Sequence, residues 1–173
     1  DEPPELTRFL ERSAVASLST RTVGPRTDGA DAYLTLGAGN RADAANPLTA
    51  GDAAQLAETT PSGSAAQVYQ RRTGIEPTGE IVVLSIAEQV ARNDALLYGS
   101  APGAMAESLA GAGHPVGVVG NADTALDGGP PQRDVALAGM DRDGQVAVGN
   151  VSSTLLEADP LAPFGVRSDD NAV

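Results

Sequence analysis

The chain contains no cysteine, no tryptophan and no lysine, and a single histidine, His114. Without cysteine there is no disulfide, thiolate metal site or cysteine nucleophile, and thiol chemistry says nothing about the compartment. The lack of lysine excludes a Schiff base, and one histidine cannot build a three-histidine zinc site. Aromatic residues are scarce, with two Phe and three Tyr among 173 residues. The 41% apolar content is largely Ala and Val, so any core uses small side chains and brings backbones close together. No apolar run approaches the ~18 residues that suggest a membrane-spanning helix. The opening DEPPELTRFLERS is acidic and does not read as a signal sequence. Positive charge is also short: 11 arginines face 23 acidic residues, for a formal charge of −12. Such a surface repels phosphate backbones and argues against nucleic acid as a partner.

What is present fits one α/β domain over residues 1–173, with 20 glycines and 12 prolines implying many loops. Leu6, Phe9 and Leu10 predict a short helix over 4–12, with Pro4 in its first turn. AVASLST at 14–20 reads as a strand. Pro25 and Gly29 mark a turn in which Thr27 or Asp28 is placed to cap a helix. Residues 43–66 show no period and read as a loop-rich excursion. IVVLS at 81–85 predicts a core strand, and Ser85 with Glu88 has capping-box spacing for a helix running to about Leu97. PGAMAESLAGAGHPVGVVGNAD at 102–123 reads as a helix, a glycine stop at Gly113, a buried β-branched strand and a polar tip carrying Asn121 and Asp123. VALAGM at 135–140 and QVAVGNV at 145–151 flank Asp143-Gly144, which predicts a β-hairpin. In the tail, only Leu155, Leu156 and Phe164 look able to dock. The order of elements implies a partly parallel sheet flanked by helices, with a C-terminal hairpin.

Several short motifs have a structural and a chemical reading. GAGNRA at 37–42 matches the dinucleotide pattern, yet Pro47 and Gly51 would break the helix it requires, and close backbone packing explains its glycines as well. Asp141, Asp143 and Gly144 resemble the start of a calcium loop, but Ser152 stands where the bidentate Glu belongs. His114, between Gly113 and Pro115, suits a turn. Arg41, Arg71, Arg72 and Arg133 are candidates either for oxyanion binding or for pairing within this acidic chain.

FLERSAVASLSTRT, AYLTLGAGNRA, LAGAGHPVGVVGNAD and the 135–151 region together resemble a family of uncharacterised actinobacterial proteins related to the alkaline phosphatase superfamily. LTLGAGNRA is similar to the run after the nucleophile loop of cofactor-independent phosphoglycerate mutases, and LAGAGHPVGVVGN to a helix-strand segment of sulfatases. The resemblance implies that superfamily's α/β sheet and, in complete members, hydrolysis of phosphate or sulfate esters at a divalent-metal site. Carried over, it makes Thr27 the nucleophile, Asp28, Asp31 and Asp123 metal ligands, Arg41 the group that stabilises transferred charge, and Asn121 the occupant of the sulfatase lysine position. PRTDGAD departs from the usual nucleophile pattern. The superfamily's first metal-binding strand and its late Asp/His cluster would lie outside residues 1–173, so the resemblance implies a portion of a longer, extracytoplasmic protein. Any membrane association would come through other parts of that protein.

The leading expectation is therefore an alkaline-phosphatase-like domain, inactive on its own. The alternative is a non-catalytic binding or scaffold domain. A small-residue core with strand edges to cover is compatible with a homodimer.

Overall fold

A computed structural model describes residues 4–13, 21–46, 52–124, 130–169 and 171–172. The strand expected at 14–20 lies outside them. Helix α1 (Pro4–Leu10) forms where the amphipathic run predicts it, although Phe9 and Leu10 are exposed. Helix α2 (Gly29–Ala38) starts at Asp28, whose carboxylate accepts the Asp31 N–H. An N-cap bond of this kind contributes about 1 kcal/mol. Gly39, at φ +64°, ends the helix in the left-handed conformation. Gly37 lies on the buried face, where a Cβ would stand 2.5 Å from the Leu137 carbonyl oxygen. This glycine lets α2 press against a short helix, α6 (Ala136–Gly139).

The stretch expected to be a loop-rich excursion instead supplies three short strands: β1 (Ala53–Gln55), β2 (Thr59–Thr60) and β3 (Gly63–Ser64). Helix α3 (Ala65–Thr73) follows directly behind a complete Ser64–Gln67 capping box. Strand β4 (Ile81–Val83) is fully buried and pairs antiparallel with β1 on one side and β6 (Gln145–Val146) on the other. Helix α4 (Ile86–Asp94) follows β4 as expected, but Ser85 makes no side-chain cap. Its hydroxyl instead accepts a hydrogen bond from Gln89, 3.4 Å away.

The segment 102–123 keeps the expected order of helix, glycine stop and strand, but the strand expected to be buried is so only at Val118, with Val119 55% exposed. Helix α5 (Ala104–Gly111) stops before Gly113, at φ +83°, and His114 turns the chain by donating its N–H to the Leu109 carbonyl. Strand β5 (Gly117–Val119) then pairs parallel with β7 (Val148–Asn150). This is the one parallel pair among the described residues; the three-stranded sheet β1-β4-β6 is antiparallel throughout.

The hairpin expected over 135–151 does not form. The apolar run before the turn is helical α6, while β6 and β7 pair with different partners. The tight turn itself exists: the Asp141 carboxylate accepts N–H bonds from Asp143 and Gln145. A C-terminal hairpin does occur further on, where β8 (Leu156–Ala158) pairs antiparallel with β9 (Val166–Ser168) after a 3-10 turn (Ser153–Leu155). Leu155 docks and is buried, whereas Phe164 stays exposed. The chain is thus mixed α/β, made of small sheets and helices, with no closed barrel among the described residues. Its core gathers Leu34, Tyr69, Ile81, Val82, Val83, Leu137, Met140 and Val146.

Candidate functional site

Capping geometry places Thr27 and Asp28 together at the α2 N-terminus, both exposed. The Thr27 hydroxyl lies 3.1 Å from that of buried Thr22. Asp31, one turn into α2, accepts the Ala44 N–H at 2.8 Å and so ties the returning chain to the helix. Burial raises its pKa, the Ala44 hydrogen bond opposes the rise, and Asp28 and Asp43 add to it. Asp134 approaches the same helix end, and a Cβ on Gly29 would stand 2.9 Å from its carboxylate. Burial raises the Asp134 pKa, and Asp28 raises it further. Between them Asp28, Asp134, Pro130, Pro131 and Gln132 border a cleft of about 250 Å³.

At the carboxyl end of β5, Asn121 and Asp123 hold the backbone together. Asn121 donates its side-chain N–H to the Val151 carbonyl at 2.9 Å and accepts the Asp123 N–H at 2.7 Å. One Asp123 oxygen accepts the Gln132 N–H, and the other accepts both Nε and NH2 of Arg133, at 3.3 and 3.1 Å. The same guanidinium reaches Glu58 at 2.6 Å and the Ala53 carbonyl at 3.0 Å. The Arg133 and Asp123 side chains are only 6% and 12% exposed. Burial opposes the Arg133 charge, but Glu58 and Asp123 outweigh it and raise its pKa.

These carboxylates do not fit the divalent metal that the resemblance implies. Asp123 already faces a buried cation, which would repel a second one. Asp28 and Asp31 serve α2 and the chain beside it. Among the described residues no three histidine or carboxylate side chains gather into a group able to hold a metal ion. Arg41 is remote from Thr27 as well, because the two flank opposite ends of a helix of 10 residues, about 15 Å long at 1.5 Å per residue. Its guanidinium lies over the Tyr98 ring, 5.7 Å from the centroid. The other candidate cations pair within the chain: Arg72 with Asp52 and the Leu84 carbonyl, and Arg71 with the Ser62 carbonyl. GAGNRA lies at the end of a helix rather than after a strand, and no helix follows Gly39 over the described residues to 46. The dinucleotide reading therefore fails, and packing by Gly37 with capping by Gly39 accounts for the motif.

Sequence reasoning missed a buried amide pair on α4. Asn93 accepts the Asp43 N–H and donates to the Asp43 and Gln89 carbonyls, while Gln89 accepts the Ala45 N–H. Both side chains are completely buried and fasten residues 43–45 to the helix. The readable signal was the spacing of four between Ser85, Gln89 and Asn93, which puts them on one helix face. No family model matches the chain, and no curated protein or solved structure matches it either.

Four half-buried carboxylates, Asp31, Asp52, Asp134 and Asp141, have pKa values raised chiefly by burial above the ordinary 3.8. The folded chain consequently holds protons at a pH where the unfolded chain has released them. Their stabilising contribution is full below 3.8 and is lost as pH rises through the raised values. Relief of self-repulsion in a chain of charge −12 acts in the same direction. Melting temperature should therefore rise as pH is lowered from about 7 to about 5; a steady fall over that interval would contradict this assignment.

Proposed function

We propose that this chain is an alkaline-phosphatase-like α/β domain of an extracytoplasmic bacterial protein, and that it acts as a binding or scaffold domain without ester hydrolysis of its own. The observation that carries the absence of hydrolysis is the buried Asp123–Arg133–Glu58 cluster, in which the carboxylate nearest the strand end neutralises a structural cation; the alkaline-phosphatase-like part of the reading rests on the resemblance. The acids that metal chemistry would call upon have architectural partners instead. The extracytoplasmic assignment rests on the resemblance; among the described residues no helix is long and apolar enough to cross a membrane.

The test is to add zinc, manganese and calcium separately to the purified chain, following melting and bound-metal content, and to assay p-nitrophenyl phosphate and sulfate. Expected are no stoichiometric metal, an unchanged melting temperature, and turnover equal to buffer for both the parent chain and Thr27→Ala. Near-stoichiometric metal with a clear rise in melting, or turnover that Thr27→Ala abolishes, would overturn the reading. A second reading, ester hydrolysis by a longer parent, draws on the Asp28–Asp134 cleft beside Thr27. It requires that Thr27→Ala abolish hydrolysis by that longer protein.

A further inference from the structure

The β8–β9 hairpin carries two large apolar side chains into solvent: Leu161 is 95% exposed and Phe164 69%. Phe164 is one of only two phenylalanines in the chain. Scattered apolar residues on a surface need no explanation. These two share a braced loop. Across its neck, the Asp159 N–H donates to the Gly165 carbonyl, and within it the Ala162 N–H reaches Asp159 and the Gly165 N–H reaches Ala162. The Asp159 carboxylate also accepts the Leu161 N–H at 2.9 Å. Pro160 and Pro163 restrict the tip further, and Gly165 takes φ +72°. Below it, Arg167 pairs with Glu157 directly opposite and approaches Asp159. Buried Leu155 and the bond from the Asp169 N–H to the Leu155 carbonyl anchor the base. A loop already held in one conformation loses little entropy on docking.

We propose that the 159–165 tip is a preformed docking element that inserts Leu161 and Phe164 into an apolar pocket of a partner protein rimmed by arginine or lysine. Charge selects this occupant. Glu157, Asp159 and Asp169 outnumber Arg167 on the hairpin, and the whole chain carries −12, so anionic lipid and a second copy are both repelled. The proposal is independent of the catalytic question, since an active chain could carry the same tip.

The experiment places a photoreactive benzoylphenylalanine at position 164 and irradiates the cells that make the protein. The expected crosslink maps to an apolar pocket bordered by basic residues on another polypeptide. That protein, once purified, should bind the chain and lose affinity at least about tenfold with Leu161→Ser and Phe164→Ser combined. Raising salt from about 50 to about 300 mM should weaken binding, while the paired variant should melt with the parent chain. Crosslinks confined to this chain or a second copy, crosslinks to lipid, no crosslink, or binding indifferent to the paired variant would each overturn the proposal. A lowered melting temperature in that variant would do so too, by showing that the side chains support the fold.

Discussion

Arg133→Met should lower stability by about 3–5 kcal/mol, because it strands two carboxylates that the guanidinium now neutralises. At roughly 2–4 °C per kcal/mol for a domain of this size, the melting temperature should fall by about 6–20 °C. Arg133 touches Asp123 after β5, Glu58 before β2 and the Ala53 carbonyl in β1, so one side chain joins three separate stretches of chain. Methionine keeps much of the volume but leaves the Ala53 carbonyl without this donor and Asp123 with an unbalanced charge in a site only 12% exposed. Lysine would keep the charge but lose the fork that lets one cation serve all three acceptors. Adding Glu58→Gln to Arg133→Met should restore part of the loss, since one stranded charge disappears with it. Thermal melts of the three variants check this; Arg133→Met melting within about 2 °C of the parent would remove the cluster's architectural role.

The same cluster explains what could be read in advance. Elements whose causes are local were legible: the Asp28 cap, the Gly113 stop, the valines of β5 and the buried run Ile81–Val83. The strands at 53–64 were not, because segments of two or three residues carry no period and β1 is defined by pairing with Ile81–Val83, far along the chain. Residues 135–140 were ambiguous in kind. A short run of Val, Ala, Leu, Gly and Met suits a strand or a buried helix equally, and contact with Gly37 of α2 favours the helix. In the candidate site, the residue types were visible but their partners were not. Asp123 has the composition of a ligand, and only the return of the chain at Arg133 makes it a counter-ion. Gln89 and Asn93 posed the converse problem, since polar side chains on an amphipathic helix are ordinarily assigned to solvent.

Gly149→Ala should be nearly as damaging, with an expected loss of about 3 kcal/mol from strained backbone and overpacking combined. Gly149 adopts φ +148°, and a Cβ there would fall inside contact distance of the Val118 carbonyl oxygen in the neighbouring strand. Neither strand can withdraw freely. The Gly149 N–H donates to Glu80 at 2.8 Å and its carbonyl accepts from Gln55 at 3.0 Å, fixing β7 to the antiparallel sheet. Val118, for its part, is buried against Gly139 of α6. The strain should therefore fall on the β5–β7 pairing. Because Asn121 holds the Val151 carbonyl just beyond that pair, the Asn121–Asp123 turn should loosen with it. Amide exchange should accelerate across 117–123 and 148–151 while Ile81–Val83 stays protected, and melting should fall by about 6–12 °C. Uniform acceleration through the β4 core would instead mean that the parallel pair is not a separate unit, and unchanged exchange would mean that Gly149 is not what brings the two strands together.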